Sequence, residues 1–131
     1  ANLVRCNPTN QDAVRVAGGI VPLVRLLEGG SAGGKQAAAA ALRNLSHNHP
    51  ANQGAVPFAG GIAPLVRLLE GGNEAGKERA AWALRNLALN HPANQGAVRA
   101  AGGAAVLARL LEGSSGATEA VTAALAALGE A

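Results

Sequence analysis

The side chains of this sequence with any capacity for chemistry are few. Three histidines, His47, His49 and His91, are the groups whose ordinary titration lies near neutrality. His49 and His91 stand 42 residues apart, each directly before a proline, which suits a turn or helix start better than two separate catalytic centres. The single cysteine, Cys6, lies at the start with no partner in sequence for a disulfide, a metal or an activated nucleophile. No metal-ligand spacing and no nucleophile elbow is present. The glycine pairs lack the strand and lysine that a phosphate loop needs. The sequence predicts no enzyme and no cofactor.

Binding chemistry is better represented. Glu78, Arg79, Trp82, Arg85, Asn86 and Leu89 follow one another at steps of three or four, so a helix would carry them on one face. Ala80, Ala81, Ala83, Leu84, Leu87 and Ala88 form the apolar stripe suited to burial. A tryptophan one turn before an asparagine, on a face otherwise polar, matches the enrichment of aromatics at interfaces. This face is therefore expected to bind a partner. An upstream near-copy puts Arg43, Asn44 and His47 where Arg85, Asn86 and Leu89 stand, extending the surface across two helices.

What positions these residues is a repeat. Asn10-Gln11, Asn52-Gln53 and Asn94-Gln95 are spaced at intervals of 42, as are three Ala-Gly-Gly triplets and three Leu-Leu-Glu blocks. Roughly three quarters of positions 17 to 58 are identical to positions 59 to 100. Each unit reads as three helices: a short one around Asn52 to Ala59 opened by Pro50, a second around Ile62 to Glu70, and a third from Asn73 or Glu74 to Leu89 with Asn73 as N-cap. Glycine pairs separate them. Such a unit cannot bury its own apolar face, so units must stack.

Gly-Gly-Ile-x-Pro-Leu-Val-x-Leu-Leu followed by Ala-Ala-Trp-Ala-Leu-Arg-Asn-Leu-Ala resembles the armadillo repeat, over almost the whole chain. The resemblance implies an all-α fold, a right-handed α-solenoid of stacked three-helix repeats whose third helices line a concave groove for extended peptide segments. In nuclear-import receptors of this family the matching tryptophan stacks on basic side-chain stems and the asparagine clamps the ligand backbone. Those roles would fall on Trp82 and Asn86, with Asn44 in the preceding unit. The chain departs from that pattern, with Ala40 and about Ala124 at the tryptophan positions of the other units and no asparagine in the last.

The expected organisation is one domain over 1–131: the end of a truncated preceding repeat at 1–7, repeats at 8–49 and 50–91, and a last, slightly shortened repeat at 92–131. A fragment of a longer array is the expectation for the truncated start. Arg25, Arg67 and Arg109, each three residues before a glutamate, are read as a solvated outer face with local ion pairs, and Phe58 as filling a repeat junction.

Composition sets the limits of function. Alanine, leucine and valine dominate, with one Trp, one Phe and no Tyr or Met, so the helices should pack closely. A net charge of +3 spread along the chain, with few aromatics, disfavours a nucleic-acid surface. No apolar run approaches the ~20 residues of a membrane span, and the first residues lack the apolar core of a signal peptide. The expected setting is cytoplasmic or nuclear. The expected partner is a protein or peptide segment, extended and neutral to acidic, because Arg43 and Arg85 accompany the asparagines. The alternative is a structural module that self-associates end to end as a homo-oligomer through its exposed repeat ends.

Overall fold

The computed structural model describes residues 8–113 and 116–129. Among these the chain is all-helical, in three successive trios: α1 (Pro8–Val16), α2 (Ile20–Gly29), α3 (Ala32–Ser46); α4 (Pro50–Phe58), α5 (Ile62–Gly71), α6 (Glu74–Ala88); and α7 (Pro92–Ala100), α8 (Gly103–Glu112), α9 (Thr118–Ala127). The expected truncated repeat at 1–7, with Cys6, lies outside the described residues.

Local chemistry sets where these helices start and stop. Ser31 Oγ accepts from Gly34 N at 3.1 Å and Asn73 Oδ1 accepts from Gly76 N at 2.9 Å, each satisfying an amide that the first turn would leave orphaned. His49 and His91 do the same through Nδ1, accepting from Asn52 N at 3.1 Å and Asn94 N at 3.2 Å, with proline at the next position. The glycine pair after α4 uses its two members differently. Gly60 has φ +83°, a left-handed turn that a β-carbon would strain, whereas a β-carbon on Gly61 would come within 2.7 Å of Val56 Cγ1. After α3 and α6 the same left-handed turn falls to Asn48 and Asn90, at φ 50° and 56°.

The helices stack in register. α3, α6 and α9 lie side by side as one layer, with α2, α5 and α8 behind them. Leu42, Leu45, Leu65, Leu69, Leu84, Leu87 and Leu107 are fully buried between them, each worth roughly 1.5–3 kcal/mol relative to an exposed leucine. Ala38, Ala39, Ala80, Ala81 and Ala83 are equally buried, and their small side chains let the third helices approach closely.

A ladder of amide side chains fastens one trio to the next. The Asn52 side chain, inside the core, donates to the Leu45 carbonyl at 2.8 Å and to the Gln11 carbonyl at 3.2 Å. Asn94 repeats the pattern on Leu87 and Gln53, both at 2.8 Å. Gln11 reaches the carbonyls of Asn44 and His47, and Gln53 those of Asn86 and Leu89. Apart from Gln11 and Gln53, which lie within first helices, the acceptors stand at the C-terminal end of a third helix, where carbonyls are left without an internal partner. α3 and α6 are thus each capped by the first helices of their own trio and of the next.

The last trio departs from this plan. α9 has 10 residues against 15 in α3 and α6. Its buried positions Val121, Ala124, Leu125 and Leu128 repeat Ala80, Ala83, Leu84 and Leu87 at an interval of 41, not 42. Ala123, half-exposed, therefore takes the position of Trp82, and Ala124, expected there, is buried. Gln95 caps Ala88, and the C-terminal end of α9 is held by Arg99 donating to the Leu128 carbonyl.

Two outer-surface expectations are corrected. Phe58 fills no junction: it is 95% exposed, because the last turn of α4 points it away from the stack. Arg109 pairs with Glu70 of the preceding trio at 3.5 Å, across the junction between α5 and α8, and not with Glu112 on its own helix.

Candidate functional site

The surface carried by α3 and α6 gathers most of the residues singled out in the sequence. Trp82 is half-buried, its ring packed at the edge of the core on one side. Over that ring, 4.8 Å from the centroid, sits the guanidinium carbon of Arg43 from the neighbouring helix. This is the geometry of a cation–π contact, worth about 0.5–2 kcal/mol according to how far the pair is desolvated. Beside it the Asn86 side chain donates to the Arg43 carbonyl at 2.8 Å and accepts from Arg85 Nη1 at 2.9 Å.

Asn86 is accordingly buried, at 5% exposure, and not open on the face as its helical position suggested. Its equivalent Asn44 is half-exposed, and among the described residues its side-chain amide has no hydrogen-bond partner. The acceptor that the repeat would supply for it belongs to Ala1, outside the described residues. One turn before the ring Glu78 is exposed, and Arg79 donates from Nη1 to Gln36 Oε1 at 3.2 Å. Gln36 in turn donates to Asn73 Oδ1 at 2.9 Å, so Arg79 belongs to a polar chain at the starts of α3 and α6, some way from Trp82.

At the other end, the surface runs into a cavity of about 310 Å³ lined by Asn48, Pro50, Gln53, Arg85, Asn86, Leu89 and Asn90. Leu89 caps the C-terminus of α6 and His47 that of α3, with the His47 ring 3.4 Å from Asn48 Nδ2. Arg43, Trp82, Arg85 and Asn86 are therefore brought together, Leu89 joins them through the cavity, and Asn44 and His47 lie one trio back. Glu78 and Arg79 stand toward the far end of α6. Sequence reasoning missed Gln53, which lines the cavity while holding the carbonyls of Asn86 and Leu89. Its recurrence as Gln11 and Gln95 was the available signal.

What this arrangement offers is hydrogen bonding and charge. Among the described residues no group of three or more His, Cys, Asp or Glu side chains is close enough to hold a metal, and no helix is long and apolar enough to cross a membrane.

Comparisons with known proteins bear on the family and the fold. The model of the armadillo/beta-catenin-like repeat matches residues 7–47 and 49–89, more than half of the chain, and the protein belongs to the armadillo repeat family. Its fold is the right-handed α-solenoid of that family. A designed armadillo repeat protein solved in complex with the peptide (KR)4 is 25% identical, with a TM-score of 0.88 over 96% of this chain and 53% of the other. An engineered protein from structural genomics is 31% identical, with a TM-score of 0.89 over 93% of this chain and 50% of the other. One of the computationally designed armadillo repeat proteins for modular peptide recognition is 27% identical, with a TM-score of 0.87 over 92% and 51%. The chain spans about half the length of these structures. A comparison with curated protein sequences finds no match.

Proposed function

We propose that this protein is a non-enzymatic interaction scaffold whose surface along α3 and α6 holds an extended, neutral to acidic peptide segment. The observation that carries the reading is the cluster of Trp82, Arg43, Arg85 and the Asn86-lined cavity on one continuous surface. Two structural neighbours are a designed armadillo protein in complex with the peptide (KR)4 and one designed for modular peptide recognition, which supports peptide binding by a fold of this kind. In this reading Asn44 hydrogen-bonds the ligand backbone, Trp82 packs an apolar or aliphatic side chain, and Arg43 and Arg85 attract acidic groups. Asn86 serves by fixing Arg43 and Arg85, with its remaining amide hydrogen directed to the ligand. A cytoplasmic or nuclear setting belongs to the same reading.

Trp82 is the sole tryptophan, so its fluorescence reports on the site directly. Titration with extended acidic peptides should shift its emission, and Asn44→Ala should weaken the response about tenfold with helicity intact, the loss of a well-placed backbone hydrogen bond. Capture of the same peptides at full affinity by a Trp82→Ala, Asn86→Ala double variant would remove the groove from the account.

A second reading, end-to-end self-association, has its own observation. Leu26 is 43% exposed where its equivalent Leu68 is 7% exposed, and Leu111 is 42% exposed where Leu69 is fully buried. Solution mass across a concentration series decides it: a constant monomer removes this reading.

A further inference from the structure

The Trp82 ring face is already occupied. An indole attracts a cation through the negative face of its quadrupole, and a half-buried indole offers one such face to a ligand. Here that face carries Arg43, with its guanidinium carbon 4.8 Å from the centroid. Beside the stack, Asn86 donates to the backbone carbonyl of Arg43 at 2.8 Å and accepts from Arg85 Nη1 at 2.9 Å, which puts a second cationic side chain on the same patch. The carboxylate on this face, Glu78, is a full turn further along α6 and exposed, where solvent screens it.

We infer that Arg43 is the charge filter of the groove, the residue that decides which ligand side chains the Trp82 position admits. The inference rests on the groove reading above and adds what that reading lacks, since a groove with Trp82 and no Arg43 would favour cationic side chains. To reach the ring, a ligand lysine or arginine must displace Arg43 and remain beside Arg85. An apolar or acidic side chain leaves the stack in place. The filter operates at one junction: the position of Trp82 is Ala40 in α3 and Ala123 in α9, so no other guanidinium of the layer has an indole to cover.

The sole tryptophan makes the filter measurable with and without a peptide. In the first arm, Trp82 emission is quenched by caesium and by iodide in the wild type, in Arg43→Gln and in Arg43→Lys. Arg43→Gln should raise the caesium quenching constant about twofold and lower that for iodide, and Arg43→Lys, which keeps the charge, should keep the wild-type ratio. In the second arm, a short alternating Lys-Arg peptide and an alternating Asp-Ser peptide of equal length are titrated against the same proteins. The Lys-Arg peptide should bind Arg43→Gln about tenfold more tightly than the wild type, and the Asp-Ser peptide several-fold less tightly.

Equal caesium quenching in the wild type and Arg43→Gln overturns the filter whatever the peptides do. So does wild-type affinity for the Lys-Arg peptide equal to that of Arg43→Gln. If quenching changes as expected but neither peptide binds any of the three proteins, the groove reading fails, and the stack is then a structural contact without a selective role.

Discussion

α3 and α6 are near-copies of one helix, equal in length, equally capped and packed against each other, and they do different things. Leu42 and Leu84, Leu45 and Leu87, and Ala38 and Ala80 are buried alike. The differences are Ala32 against Glu74, Gly33 against Ala75, Gln36 against Glu78, Ala37 against Arg79, Ala40 against Trp82, Ser46 against Ala88 and, just past the helices, His47 against Leu89. Of these, Ser46 against Ala88 alone falls at a fully buried position. Repetition thus supplies the scaffold, while the positions where the copies diverge, together with the neighbour each identical residue meets, supply the candidate site. Asn44 and Asn86 make the point, since one residue type at one position is half-exposed in the first helix and locked between Arg43 and Arg85 in the second.

The comparison can be broken most forcefully at the seam. Leu84→Ala should cost about 2–5 kcal/mol in urea unfolding, and Leu42→Ala a similar amount, because each leaves a cavity between packed helices. A large gap between the two would mean the copies are not equivalent scaffolds. Next comes the asparagine pair. Asn86→Ala removes the partner of the Arg43 carbonyl and should cost about 1–3 kcal/mol, while Asn44→Ala should stay within about 0.5 kcal/mol in the same measurement.

A smaller effect of opposite sign is expected at Ser46. It is fully buried, its hydroxyl lacks a hydrogen-bond partner among the described residues, and α6 carries alanine at the same position. Ser46→Ala should stabilise the protein by about 1 kcal/mol, read as a rise in thermal midpoint.

The smallest effect concerns the first trio. Asp12 accepts from Arg15 at 3.1 Å and from His49 Nε2 at 2.8 Å, and Arg15 first, then His49, holds its carboxyl below the ordinary value of 3.8. His49 uses Nδ1 as the acceptor for Asn52, which leaves Nε2 to donate. A carboxyl depressed on folding stabilises the fold above its unfolded value, and that contribution disappears as pH falls through the lower folded value. The thermal midpoint should therefore decline more steeply below about pH 4 in the wild type than in Asp12→Asn, which has nothing there to titrate.

Much of the fold could be read from the chain because its signals are local and repeated. The glycine pairs, Pro50, Asn73 and the Leu-Leu-Glu blocks each act within a turn of where they stand, and the interval of 42 places them in order. The site was less legible because its contacts join residues from different repeats. Asn52 and Gln53 recur visibly as a pair, but their acceptors lie up to 41 residues away, and spacing alone gives no direction. The stack of Arg43 on Trp82 depends on which way two long side chains turn. Phe58 departs from the expectation because apolar character does not by itself require burial. Its counterparts Val16 and Ala100 vary freely in size, as an exposed position allows and a packed junction does not.

The amide ladder has a mechanical consequence. Because Asn52 and Asn94 each hold two carbonyls of the preceding trio, peeling away the last trio strips α4 and α6 of a partner in the same event that exposes the apolar side of α6. Loss of structure must then travel as a front from one trio to the next, with a penalty at every step for the bare helix end left behind. Appending one more identical unit should raise the unfolding midpoint by more than the stability of that unit alone, and amide exchange should be slowest in α6, the third helix enclosed on both sides.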